Sequence, residues 1–275
     1  MINIIAEIGI NHNGNLDNVY KLIDIASAAG INFVKFQKRN PDICVPENQK
    51  NKEKIVPWRE EPTTYLQYKK DIEFTFEDYD IINEYCSEKN IDWFASVWDE
   101  DSVDFMYDIG QQIVKIPSAL LTNLSLLERA EYSFPFRILS TGMSTEEEID
   151  KAVEVLNPQV IMHTNSTYPS PIEDLNFGYI EWLKEKYPKK EIGFSSHYYG
   201  IVPLMASVLL RVSWIEFHVT LDHSAWGSDQ LSSIEPSGIF KAVKGVRDLE
   251  MALSKGYGPR KLLPGEDKKR KTLRK

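Results

Sequence analysis

INIIAEIGINHNGNLDNVYKLIDIASAAGINFVKFQ, residues 2 to 37, decides the fold. It opens on INIIAEIG (2 to 9), a short β-rich run dominated by isoleucine. After a polar turn it continues as LDNVYKLIDIASAA, whose apolar residues recur at helical spacing, and it ends on a second β-rich run, INFVKFQ (31 to 37). Strand, helix and strand in so short a span is the unit that joins two parallel strands by a helical crossover.

The unit repeats outward from there. Further strand candidates are DWFASVW (92 to 98), QIVKIPS (112 to 118), FRILSTG (136 to 142), QVIMHTN (159 to 165), EIGFSSH (191 to 197) and WIEFHVTL (214 to 221), which brings the count to eight. Helical spacing follows them in FEDYDIINEYCSEKN, LSLLERAEY, STEEEIDKAVEVL and LNFGYIEWLKEKYP, with a last helix over about 236 to 255. STEEE carries an N-cap residue with acids in the first turn, where they complement the helix dipole. Eight strand and helix repeats predict an α/β protein of one domain, a closed (β/α)8 TIM barrel over residues 1–260. An open doubly wound sheet is the competing architecture, but GINHNGN after the first strand is not the glycine-rich fingerprint such folds carry. Residues 38–72 are much longer than a typical strand-to-helix loop and too polar and proline-rich for a core element, so they read as an active-site lid or a surface excursion. Residues 261–275 form a basic tail, with Lys or Arg at six of the last eight positions, and read as a solvated end, with a contribution to the site as the alternative.

Composition bounds the function. The 275 residues are 42% hydrophobic and 27% charged, enough apolar material for a sizeable core. With 41 acidic against 32 basic side chains, the net charge of -9 gives no reason to expect nucleic acid or an anionic membrane as partner. Cys44 and Cys86 stand in unrelated contexts, which predicts neither a disulfide framework nor a cysteine metal cluster and fits a reducing cytoplasm. The amino-terminal MINIIAEIG lacks a basic leader region, and IVPLMASVLL is too short to cross a bilayer, so neither export nor a membrane span is expected.

In a barrel the active site lies at the C-terminal ends of the strands. Those ends carry Glu7; Lys35 and Gln37; Ser96; Lys115 and Ser118; Ser140 and Thr141; His163, Asn165 and Ser166; Ser195 and His197; and Glu216, His218 and Thr220. Unpaired buried charges cost several kcal/mol each, so lysines and carboxylates gathered at one mouth must compensate each other or meet a charged ligand. Alternation puts Glu216, His218 and Thr220 on one face of the last strand and Ser195 and His197 on one face of its neighbour. Two imidazoles at one level are able to hold a divalent metal with open positions for substrate. Lys35 and Lys115, with the hydroxyls of Ser118, Ser140 and Ser195, suit a phosphate or carboxylate.

The segments AEIGINHNG, FVKFQ, FASVWDED, VKIPS, ILSTGMST, MHTNSTYPSP, IGFSSHYYG and IEFHVTLD resemble, in order and spacing, the sialic acid synthase (N-acetylneuraminate synthase) family from residue 4 to about 240. The resemblance implies a TIM-barrel transferase of carbohydrate biosynthesis that condenses phosphoenolpyruvate with an N-acetylmannosamine-like amino sugar. Inorganic phosphate is released and a nine-carbon 2-keto-3-deoxy (nonulosonic) acid forms for surface glycans. It places Lys35, Ser96, Lys115, Ser118, Ser140, Ser166, Tyr168 and Ser195 on phosphoenolpyruvate, and His197 and His218 on a divalent metal, Mn2+ or Mg2+. Glu7 and Asp229 fall on the sugar, Glu216 takes an acid/base or supporting role beside the metal, and Glu7, Glu216 and Lys115 form the catalytic set. A homodimer in the cytoplasm is the family's expected state.

The chain departs from that family in three places. Nothing resembles the C-terminal antifreeze-like domain that gives a partner's site an arginine. Ser195, Ser196 and His197 stand where SDH is usual, and Gly227, Ser228, Asp229 and Gln230 where GPDH is usual. The acceptor is therefore open among other hexosamines, deoxy or diacetamido sugars and sugar phosphates. Two other functions compete: a Schiff-base aldolase with Lys35 or Lys115 as nucleophile, and a non-catalytic sugar-binding homologue.

Overall fold

The computed structural model describes residues 1–256 and 258–274; Tyr257, within the span assigned to the barrel, and Lys275, the last residue of the basic tail, lie outside the described residues. Eight parallel strands close into a barrel: β1 (Asn3–Gly9), β2 (Phe33–Lys38), β3 (Asp92–Val97), β4 (Ile113–Ile116), β5 (Phe136–Ser140), β6 (Val160–Thr164), β7 (Glu191–Ser196) and β8 (Trp214–His218). β8 pairs with β1 and closes the ring. The helices α1 (Leu16–Ala29), α2 (Phe76–Glu88), α3 (Glu100–Asp108) and α4 (Leu124–Ser133) follow the first four strands. α5 (Glu146–Leu156), α6 (Gly178–Lys186), α7 (Val202–Leu209) and α8 (Pro236–Leu253) follow the rest.

The expected single-domain (β/α)8 barrel is thus the observed one, with shifts at element ends. Most strands stop short of their expected C-terminal ends: β4 ends at Ile116 because Pro117 has no N–H for the ladder, and β8 ends at His218. Ser118 and His197 therefore stand on the first residues of loops. The helix expected from Leu175 starts at Gly178, after Asn176 breaks the chain with a left-handed φ of 43°. α5 begins in a capping box, Thr145 accepting from the Glu148 N–H and Glu148 from the Thr145 N–H.

Apolar side chains divide between two layers. Ile215, Phe217 and Val219 belong to the large core between barrel and helices. Ile5, Phe94, Ile138, Val160, Met162 and Trp214 fill the barrel interior, with Phe33 and Phe136 against Trp214. Each such fully buried side chain contributes about 1.5–3 kcal/mol. This plug leaves the C-terminal end of the interior to polar residues.

The 38–72 excursion is more ordered than a polar loop. Short helices at Pro41–Cys44 and Glu47–Lys50, a two-stranded hairpin (Glu53–Lys54 with Thr63–Thr64) and a helix at Tyr65–Asp71 build a cap on the barrel mouth. Its apolar face does form a small core, contrary to the expectation from its polarity: Val56, Tyr68 and Ile72 pack with Ile10, Tyr65 and Trp226. Gly14 admits this contact, since at φ +72° an added Cβ would stand 2.4 Å from the Asp71 carbonyl oxygen.

The tail carries an exposed helix, Glu266–Leu273, and none of its described residues lines the barrel mouth.

Candidate active site

Strand register assembles the mouth of the barrel. Glu7 on β1 stands opposite Lys35 on one side and His218 on the other. Ser96 stands opposite Lys115, and Glu216 opposite Ser195. Above the aromatic plug these residues enclose a cavity of about 480 Å³, within the usual size of small-molecule sites. Glu7, Lys35, Ser96, Lys115, Ser118, Ser140, Ser166, Tyr168, Ser195, His197, Glu216, His218 and Asp229 all line it, so the structure brings together every predicted site residue.

Buried charge alternates through the centre. Lys35 Nζ lies 2.6 Å from Glu7 Oε2, 3.9 Å from Glu216 Oε1 and 3.3 Å from Ser96 Oγ. Lys115 Nζ lies 2.6 Å from Glu216 Oε1, which also accepts from Ser195 Oγ at 3.1 Å. Burial opposes the charge on Glu216, but Lys115 and Lys35 outweigh it and hold the carboxyl down to about 2. Glu216 Oε2 is buried and, among the described residues, has no donor.

Serine hydroxyls cluster on the β4 to β7 side. Ser118 Oγ accepts from the Gly142 N–H at 3.0 Å. A Cβ at Gly142 would stand 2.1 Å from Ser166 Oγ and 2.9 Å from Ser118 Oγ, so the two hydroxyls converge on a place only glycine leaves open. With Lys115 these groups make a donor-rich pole for an anion.

The two histidines come together, ring centroids 5.4 Å apart. His197 Nδ1 lies 2.6 Å from the Asn165 carbonyl oxygen, which only accepts, so Nδ1 carries the proton and Nε2 presents its lone pair, 2.7 Å from the Tyr168 hydroxyl. Burial, with His218 second, pulls His197 down to about 3 and keeps it neutral. His218 Nδ1 is buried with no hydrogen-bond partner, and its nearest acid is Asp229 Oδ2 at 3.9 Å. Among the described residues no three of His, Cys, Asp and Glu form a metal cage. An oriented imidazole, an orphaned imidazole nitrogen and a nearby carboxylate do fit a divalent cation with open coordination positions.

Of the polar strand ends, Thr141, His163, Asn165 and Thr220 are not among the residues that line the cavity. His163 packs against Tyr179 and Phe194 and bonds the Leu175 carbonyl oxygen, outside the cavity. His223, beyond β8, bonds the Ser233 carbonyl oxygen. Gln37, named as a polar strand end but given no role, lines the cavity, as do Arg39, Trp98 and Lys69, which were not picked out as site residues. Alternation from Lys35 to 37 and 39 carried a signal for the first two, whereas Lys69 comes from the cap and had none. Gln37 donates to Glu7 Oε1 at 3.0 Å and accepts from Arg39, whose guanidinium lies over the Trp98 ring and reaches Glu73 Oε1 at 3.4 Å.

Comparison with known proteins agrees with this geometry. A family model described as the NeuB family matches residues 22–258. The N,N'-diacetyllegionaminic acid synthase of Campylobacter jejuni is 32% identical over 279 residues, covering 99% of this chain and 83% of that protein. The N-acetylneuraminate-9-phosphate synthase of Homo sapiens is 33% identical over 270 residues, 96% of this chain and 74% of that one. A crystal structure of N-acetylneuraminic acid (sialic acid) synthetase from Leptospira borgpetersenii, in complex with citrate, superposes with a TM-score of 0.84 at 31% identity, covering 99% and 92% of the two chains.

Proposed function

The chain belongs to the NeuB family, and from that premise we propose that it condenses phosphoenolpyruvate with an N-acetylmannosamine-like sugar, releasing phosphate and forming a nine-carbon 2-keto-3-deoxy acid. The observation that carries the reading is that one cavity is lined by Lys35 and Lys115 with a set of serine hydroxyls and, beside them, by two histidines with the carboxylates of Glu7, Glu216 and Asp229. An enol phosphate with a carboxylate suits the first, and a polyhydroxylated aldehyde suits the second.

Lys35 and Lys115 neutralise the phosphate and carboxylate of phosphoenolpyruvate, while Ser96, Ser118, Ser140, Ser166 and Ser195 donate to their oxygens. Tyr168, its ring tilted 31° to that of His197 with centroids 3.9 Å apart, closes the outer side. Glu7 and Asp229 accept from hydroxyls of the sugar and hold its aldehyde carbon against C3 of the enol. His197 and His218 would hold a divalent cation, Mn2+ or Mg2+, which when bound would supply electrostatic stabilisation for charge developing on the aldehyde oxygen.

C3 bonds to the aldehyde carbon, whose oxygen takes up a proton, and C2 becomes electron-poor. Water then adds at C2, and the adduct collapses to the ketone as inorganic phosphate leaves. Glu216 Oε2 is the acceptor suited to orienting that water; a carboxyl held at about 2 accepts a hydrogen bond without retaining the proton. Lys35 and Lys115 are both held against carboxylates at 2.6 Å, contacts that either lysine would have to give up to act as the nucleophile of a Schiff-base aldolase. The non-catalytic reading leaves this whole apparatus without a task. The reading puts the protein in surface glycan biosynthesis in the cytoplasm, where phosphoenolpyruvate is made.

The test is turnover of phosphoenolpyruvate with mannosamine-type sugars. Chelation abolishes it and manganese restores it, borohydride traps no lysine adduct, and His218→Ala is inactive while still folded. A trapped adduct with turnover indifferent to chelators contradicts the proposal.

A further inference from the structure

Lys69 is a buried cation in the cavity that touches no carboxylate among the described residues. It sits on the cap helix Tyr65–Asp71, 7% exposed, and lines the site from above β2. Among the described residues it makes neither an ion pair nor a hydrogen bond. Its neighbours are the rings of Tyr68 and Tyr65, with centroids 4.8 and 5.5 Å from Nζ. The carboxylates that line or border the cavity are engaged elsewhere: Glu7 by Lys35 and Gln37, Glu216 by Lys115, and Glu73 by Arg39 and Lys38. Asp229 accepts from Ser228 and faces His218. Burial, with Arg39 second, pulls the Lys69 ammonium down to about 8, and Asp229 and Glu73, neither of them in contact with it, only partly oppose that pull.

We propose that Lys69, with Arg39 beside it, is an anion subsite at the cap end of the acceptor cleft, and that the preferred acceptor is a hexosamine carrying a phosphate on its terminal carbon. The inference rests on the condensation reading. With the aldehyde end held at His197 and His218, the far end of a six-carbon chain runs out toward the cap. Buried ammonium and guanidinium groups recognise a phosphate monoester there, whereas a neutral hydroxymethyl would leave the Lys69 charge without an anion in contact. Arg39 keeps its Glu73 partner on one side and its Trp98 stacking face on another, so it contributes direction while Lys69 contributes the charge.

Calorimetric binding of N-acetylmannosamine and of its 6-phosphate to the full chain, alongside phosphate release from phosphoenolpyruvate with each sugar, tests the subsite. The phosphorylated sugar is expected to bind at least about tenfold more tightly. Lys69→Met, which keeps the stem against the two tyrosines, brings that ratio close to one, and Lys69→Arg preserves it. Equal or tighter binding of the unphosphorylated sugar, or a ratio that survives in Lys69→Met, overturns the proposal. Binding preference without phosphate release from either sugar leaves the subsite standing and removes the condensation reading instead.

Discussion

Lys115 Nζ lies 2.6 Å from Glu216 Oε1 at the centre of the barrel mouth, both side chains almost completely buried. Such a pair is asymmetric in its energetics, because losing one partner strands the other in a poorly hydrated place. Lys115→Met leaves Glu216 with only Lys35, at 3.9 Å, as a cation. Chemical denaturation should show a loss of about 3–5 kcal/mol, together with loss of turnover. Adding Glu216→Gln to that variant should recover most of the stability and none of the activity. A double variant as unstable as Lys115→Met would show that the contact is not an energetic pair.

Gly142 is a steric requirement of the site. An added Cβ would meet Ser166 Oγ, Ser118 Oγ and the Thr164 Cγ2 methyl, the last two at 2.9 Å, all of them side-chain ends rather than backbone. Gly142→Ala should therefore keep its melting temperature within a few degrees, corresponding to about 1 kcal/mol, while raising KM for phosphoenolpyruvate by about tenfold or more. Steady-state kinetics with each substrate varied in turn checks it; an effect confined to the KM of the sugar contradicts the assignment of Ser118 and Ser166.

Glu73 gives the chain a pH-dependent weak point. Burial pushes its carboxyl from 4.5 up to about 7 against the pull of Arg39 and Lys38. Between those values the folded chain holds a proton that the unfolded chain has released, so stability falls as pH rises through the window and the cost is complete above it. The cost is at most about 3 kcal/mol. Thermal melting at about pH 5 and about pH 8 should show wild type losing more stability than Glu73→Gln across that interval. Equal losses in the two proteins would show that Glu73 ionises as freely folded as unfolded.

Much of this was readable in the chain itself. Periodicity located all eight strands and marked six of the eight helices, leaving α3 (Glu100–Asp108) and α7 (Val202–Leu209) without a stretch of their own. Alternation along WIEFH separated Ile215 and Phe217, facing the helices, from Glu216 and His218, facing the cavity. The cap resisted the same reading, since its core depends on Tyr68 and Ile72 meeting Ile10 and Trp226, residues distant in sequence. Lys69 was hidden for that reason: nothing local marks a lysine on a seven-residue helix as the lining of a cavity. The outward turn of His163 was equally illegible, because its β6 is buried on both faces and its polarity does not tell inside from outside.

The central claim is that one cavity joins phosphoenolpyruvate to a mannosamine-type sugar. Phosphate release measured with phosphoenolpyruvate, manganese and a panel of such sugars, phosphorylated and not, tests it most directly. The account predicts release that depends on the sugar, with one nine-carbon keto acid formed per phosphate; no release with any sugar of the panel, from a folded protein loaded with manganese, would contradict it.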